Sequence, residues 1–179
     1  MPRFVVLLRG VNVGKARRVP MADFRALLGD LGHTGIVTVL NSGNAVFDAT
    51  SGTPPKHATA IAQAITRRLG IEVPVIVKSA RELAGIVASC PFAVADDGHS
   101  RFLVAFVQTP AEVAALAAVQ PLVSLRERFA LGQHAAYLDC ADGILQSKAG
   151  EALLGKAGRH ATTRNWATVL KLAALAAAT

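Results

Sequence analysis

Phe4-Val5-Val6-Leu7-Leu8-Arg9-Gly10-Val11-Asn12-Val13-Gly14-Lys15 decides how the chain is read. Five apolar residues, β-branched in part, run unbroken and stop at an arginine. So short a continuous run reads as a fully buried strand. A loop bracketed by Gly10 and Gly14 follows, carrying Asn12 and Lys15. Working outward, Val19-Pro20 announces a helix, with Met21, Phe24, Leu27, Leu28 and Leu31 at helical spacing and Gly32 as its stop. Ile36 to Leu40 reads as a second strand. Asn41-Ser42-Gly43-Asn44 has residues that tolerate positive φ, and Ala45-Val46-Phe47 resumes strand character, which predicts a hairpin. Ala58, Ile61, Ala62, Ile65 and Leu69 give a second amphipathic helix closed by Gly70, and Val73 to Val77 a fourth strand. The order is β-α-β-β-α-β, the ferredoxin-like arrangement.

The remaining residues predict a second α+β subdomain. Ser79 and Glu82 form a capping-box pattern, and Pro91 ends the helix that follows. Phe102 to Val107 reads as a strand. Thr109-Pro110-Ala111-Glu112 is a second capping box, opening a helix to about Val119. Arg128–Leu131 and Ala135–Cys140 look like a strand pair, and Leu153-Leu154 suggest a short helix broken by Gly155 and Gly158. A last helix is expected from about Thr163, burying Trp166, Val169, Leu170 and Ala173. The expectation is a ferredoxin-like subdomain over residues 1–78 packed against a second α+β subdomain over 79–179.

Composition bounds the answer further. The chain has 179 residues, 52% hydrophobic and 17% charged, so it is globular and not disordered. Cys90 and Cys140 form no C-x-x-C pair and no zinc spacing, which points to reduced thiols in a cytoplasmic protein. The apolar run Trp166 to Ala178 is interrupted by Lys171 and is shorter than the roughly 20 residues a bilayer span needs. No membrane partner is expected. The net charge is +7, and it is uneven: residues 1–20 carry Arg3, Arg9, Lys15, Arg17 and Arg18 with no acid, and residues 148–179 carry five cations against Glu151. If those ends meet they make a basic site for an anion. Solvated surface arginines are the alternative.

The loop after the first strand excludes a P-loop. That motif needs four residues between its glycines and Ser or Thr after the lysine, whereas here there are three and Ala16 follows. What remains is a tight glycine loop presenting N–H groups beside Arg9 and Lys15, or a strand exit whose glycines serve geometry. Arg9, ending a buried strand, calls for a ligand anion or a carboxylate of the fold such as Asp23 or Asp139. Ser42 lacks a G-x-S-x-G setting and is not a nucleophile by sequence; turn bonding or ligand bonding fits it and Asn44. A threonine cap is expected at Thr162 or Thr163. Arg164 would then stand in the first helical turn, where the dipole disfavours a cation. The five histidines show no metal spacing, and no metal is expected.

Leu7 to Gly14, Val19-Pro20-Met21, Asn41 to Phe47 and the closing stretch Ala161 to Leu172 together resemble an uncharacterised bacterial family, the domain of unknown function 1697. Pro91-Phe92 and Ser147-Lys148 fit weaker marks. Cys90, Ala149 and Ala167 depart from the pattern, where asparagine, leucine and asparagine are usual. The resemblance implies a compact α+β protein with ferredoxin-like subdomains and no assigned activity. It also pairs Arg9–Asn44 with Arg164-Asn165, which are expected to converge on one polar cleft. The reading is a protein for a small anionic, phosphate-bearing ligand. Arg9, Lys15 and Arg164 would supply charge; Asn12, Ser42, Asn44 and Asn165 would supply directed hydrogen bonds. A nucleic-acid module is the first alternative, given a pI near 10.1, although aromatic residues make up only 5%. An interaction domain without a ligand is the second. Sequence names no reaction, cofactor or oligomeric state.

Overall fold

The computed structural model describes residues 1–178. The chain divides into two units, Met1–Leu83 with the residues from Leu172 on, and Ala84–Lys171. The class is α+β, with two four-stranded sheets.

The first unit runs β1 (Arg3–Leu8), α1 (Met21–Asp30), β2 (Thr34–Val39), β3 (Asn44–Asp48), α2 (Pro54–Leu69), β4 (Val75–Ser79). Its strands lie in the order β2-β3-β1-β4, every neighbour antiparallel. β1 takes a central place because both its faces are apolar. Phe4, Val6 and Leu8 join Phe24, Leu28, Ile61 and Ile65 of the helices in one core, while Val5 and Leu7 on the other face are buried as well. Pro54 opens α2, and Gly70 ends it at φ 67° with its N–H on the Thr66 carbonyl. β4 starts two residues later than the sequence suggests. Arg3 and Asp48 face each other across β1 and β3 and form an ion pair of 2.7 Å.

One part of this core is polar. His33, just after α1, and His57, in the first turn of α2, lie with ring centroids 5.0 Å apart, His33 stacked on Phe47 and His57 tilted against Phe4. Nε2 of each is buried with no hydrogen-bond partner among the described residues. Burial lowers both pKa values; His57 adds to the effect on His33, whereas the Ser51 carbonyl pulls His57 the other way. The folded protein therefore binds protons less readily than the unfolded chain. Well above about pH 6.5, the unperturbed value, both states are neutral at these residues and the contribution is fully present. As the pH falls below that, the unfolded chain takes protons first and stability is lost. The urea midpoint should drop between pH 7.5 and pH 5.5, and the drop should shrink in a His57→Leu protein. An equal drop in both proteins would assign the acid sensitivity to other groups.

The second unit repeats the strand order. β5 (Phe102–Val107), β6 (Arg128–Leu131), β7 (Ala135–Asp139) and β8 (Ala161–Asn165) lie as β6-β7-β5-β8, again antiparallel. α4 (Lys148–Leu154) precedes β8. The unit boundary falls inside α3 (Ala80–Ala88) and α5 (Trp166–Ala177). The Ser79–Glu82 capping box forms, with Ser79 N–H donating to Glu82 at 2.7 Å and Glu82 N–H to Ser79 Oγ at 3.2 Å.

Two expectations fail here. The helix after Thr109 is a 3-10 helix, Pro110–Leu122, and it continues through Pro121. Its buried residues are Val113, Leu116 and Val119, three apart, with exposed alanines between. Three residues per turn put that spacing on one face. An α-helix would swing Val119 about 120° away from Val113. The last helix also begins later than expected. Ala161 to Asn165 is strand, paired to β5 with Arg164 opposite Val104, and α5 starts at Trp166. The cap is Asn165, whose Oδ1 accepts the Thr168 N–H at 3.0 Å.

Candidate functional site

The end of β1 is held from both sides. Leu8 N–H donates to the Gly43 carbonyl at 2.8 Å, and Arg9 N–H to the Pro74 carbonyl at 3.0 Å. The chain thus leaves the sheet between the β2–β3 turn and the start of β4. Gly43 sits at φ 80°, and a Cβ there would stand 2.6 Å from Leu8 Cβ, so only glycine lets the turn approach the strand.

The loop that follows is built on left-handed backbone. Gly10, Asn12, Gly14 and Arg17 all have positive φ, and Asn12 and Arg17, with Leu40 of the neighbouring turn, are the non-glycine cases among the described residues. Asn12 holds the loop together. Its Nδ2 donates to the carbonyls of Val19 at 2.8 Å and Asn41 at 2.7 Å, its Oδ1 accepts the Val19 N–H at 2.9 Å, and its own N–H reaches the Arg17 carbonyl at 3.1 Å. One side chain closes the loop and ties it to the hairpin turn. Within that turn, buried Asn44 donates to the Val39 carbonyl at 3.0 Å and to Ser42 Oγ at 2.9 Å.

The charge lies beside this frame. Arg9 is half-buried. Its pKa is lowered first by burial and then by the nearby Arg17 guanidinium. Arg17 Nη1 is 3.6 Å from the point where a Cβ on Gly10 would stand, so the end of the arginine lies beside the glycine. Arg17 also borders a groove of about 590 Å³ with Ala62, Gln63, Thr66, Arg67, Glu72, Val73 and Pro74. Arg68, next to Arg67, is held by Asp30 at 2.6 Å. Asp139, weighed as a partner for Arg9, pairs with Arg128 at 2.6 Å.

The structure therefore gathers Arg9, Asn12, Ser42 and Asn44 into one loop-and-turn frame. Lys15 is exposed at the far end of the loop and does not line the groove. Arg164 and Asn165 belong to the second unit. There Arg164 is 9% exposed and donates from Nη1 to Thr162 Oγ1 at 2.9 Å and the Thr163 carbonyl at 2.8 Å. Burial pushes its pKa down to about 10, so it is still charged at neutral pH. Because it stands in a strand, the argument from the helix dipole does not apply to it. The thiols are not activated: burial raises Cys90, and Cys140 to about 11, which keeps both protonated at neutral pH. No group of three or more His, Cys, Asp or Glu among the described residues could hold a metal ion. No helix of the described residues is long and apolar enough to cross a membrane.

Sequence reasoning missed the groove residues Arg17, Gln63, Arg67 and Glu72. Three of them are exposed on or just after α2, where polar residues look the same whether they meet ligand or water.

Comparison with known proteins bears on the family and the fold. A family model described as "Protein of unknown function (DUF1697)" matches residues 1–137. The solved structure of the conserved bacterial protein SP0830 from Streptococcus pneumoniae is similar, with a TM-score of 0.80 and 21% identity over 98% of each chain. At that identity the likeness speaks for the fold. No match is found among curated proteins.

Proposed function

The chain belongs to the family described as a protein of unknown function, DUF1697, and we propose that it binds a small phosphate-bearing anion on its first unit. One observation carries this reading: Arg17 Nη1 lies 3.6 Å from the Cβ position of Gly10, the residue after Arg9, so two cationic side chains are gathered where β1 ends. Two cationic side chains at one place raise the local positive potential, which favours an anion there. Guanidinium forks suit phosphate oxygens in particular. Lys15 adds to the field from the rim of the loop. Asn12, Ser42 and Asn44 hold the two loops at a fixed separation. The acid-free run of residues 1–20 draws the anion in.

The test is thermal melting with inorganic phosphate and phosphate monoesters. A ligand at 100 times its dissociation constant stabilises by about 2.7 kcal/mol, or about 5–10 °C at this size. An Arg17→Gln protein keeps the backbone requirement of the left-handed position and loses the charge. It should melt where the parent melts without ligand and lose most of the shift. An unshifted parent, or an undiminished shift in the variant, would rule the site out. A shift with oligonucleotides alone, fading as salt rises, would replace this reading by a nucleic-acid one.

A further inference from the structure

The groove beside the two arginines has a chemistry of its own. Arg17 belongs to both, bordering Gly10 on one side and the groove on the other. About 590 Å³ is within the range of small-molecule sites and far exceeds what a bare phosphate needs. Arg67 brings a second cation. The other polar groups are of another kind. Glu72 carries a carboxylate, which when ionised only accepts. Thr66 directs its hydroxyl proton at backbone, the Ala62 carbonyl at 3.1 Å or the Ile71 carbonyl at 3.2 Å, so toward a ligand it can only accept. Gln63 can accept and donate. The apolar wall is Ala62, Val73 and Pro74, aliphatic throughout.

We infer that this groove takes a sugar phosphate, the phosphate lying on Arg17, the residue the groove shares with the Arg9 pair, and the sugar hydroxyls donating to Glu72, Thr66 and Gln63. The inference rests on the anion reading above and names its ligand class. Cations and acceptors line the same groove, which suits a ligand that carries both an anionic group and hydroxyl donors. Inorganic phosphate satisfies only the first. Sugar hydroxyls satisfy the second, and the C–H faces of a sugar ring pack on aliphatic side chains. A free nucleobase would leave the carboxylate with fewer donors and would find no aromatic ring to stack on.

The experiment is calorimetric titration of the whole chain with ribose 5-phosphate, adenosine 5′-monophosphate, inorganic phosphate and unphosphorylated ribose. Wild type is compared with Glu72→Gln. At least one sugar phosphate should bind ten times or more tighter than inorganic phosphate, and ribose alone should bind far more weakly. Comparing the first two ligands tells whether the sugar phosphate is met free or within a nucleotide. Glu72→Gln should weaken the sugar phosphate about tenfold, the effect of losing a hydrogen bond to a charged acceptor. It should leave inorganic phosphate unchanged or slightly tighter, because a negative charge has gone. Opposite responses to one substitution are not what a merely misfolded variant gives. If the sugar phosphates bind no tighter than phosphate, or Glu72→Gln weakens both alike, the inference fails and the anion site stands. If none of the phosphate compounds binds, both fail.

Discussion

A Gly158→Ala protein is expected to lose about 3 kcal/mol or more of stability, because the added methyl meets backbone that cannot step aside. A Cβ on Gly158 would stand 1.7 Å from the Leu153 carbonyl oxygen and 2.7 Å from its carbonyl carbon. Real contacts of that kind lie above 3 Å, so the chain must move by more than an ångström at one of the two places. Neither place is loose. Leu153 is 1% exposed in the core with Val113, Leu116 and Leu138. Gly158 is buried, and its carbonyl accepts the Ala161 N–H at 2.9 Å where β8 begins. Relief therefore has to come from the end of α4 or from the start of the β5–β8 pairing. At this chain length the cost corresponds to a melting temperature lower by about 6–12 °C. Gly85→Ala is the control: nothing lies within 4 Å of its Cβ position and it sits inside α3, so the change should hold or raise stability. A Gly158→Ala protein melting within 2 °C of the parent would show that the exit of α4 adapts without cost.

The turn from α4 into β8 also shows what a sequence reveals and what it withholds. Glycines at 155 and 158 marked the end of a helix, and a helix does end there. That Gly158 is needed for a backbone approach and not for its flexibility depends on where Leu153 lies, which no local pattern encodes. β8 is a similar case. Threonine suits both a helix cap and a strand, and local preference favoured the cap at Thr162 or Thr163. Pairing with β5, a strand far back in the chain, decided for the strand and moved the cap to Asn165. The 3-10 helix was closer to legible. Its three-residue spacing is in the sequence, but spacings of 3 and 3.6 separate only over several turns, and the capping box at Thr109 suits both. β1, α1, the hairpin and α2 were read correctly because their signals are local: an unbroken apolar run, helical periodicity, a Gly-Asn turn and a terminal glycine. The loop frame of the candidate site was legible for the same reason. Its groove was not, since Arg67 and Glu72 differ from solvated neighbours only in what stands opposite them.

Asn12→Ala should cost about as much as the glycine change, and for reasons that bear on the site. The substitution removes three side-chain hydrogen bonds, to the Val19 carbonyl, the Val19 N–H and the Asn41 carbonyl. At about 1 kcal/mol each, less where water can replace them, these account for most of the loss. The rest is backbone: Asn12 is at φ 58°, which asparagine tolerates and alanine resists by about 1 kcal/mol. A total near 3 kcal/mol follows, or about 6–12 °C in melting temperature. Asn12→Gly separates the two contributions, since it removes the bonds and keeps the backbone freedom. It should therefore melt between the parent and the alanine protein. Loss of the loop's geometry should also reach the anion. Arg17 is placed partly through the bond from Asn12 N–H to its carbonyl, and the Asn12 side chain ties the loop to the hairpin. In Asn12→Gly at a temperature where it is fully folded, the shift given by a phosphate compound should shrink, although no charge has been removed. Arg17→Gln makes the complementary change, keeping the loop and removing the charge. If Asn12→Gly keeps both the parent's stability and its full phosphate shift, the asparagine is not what holds the arginine pair together, and the frame must be sought in the glycines on either side.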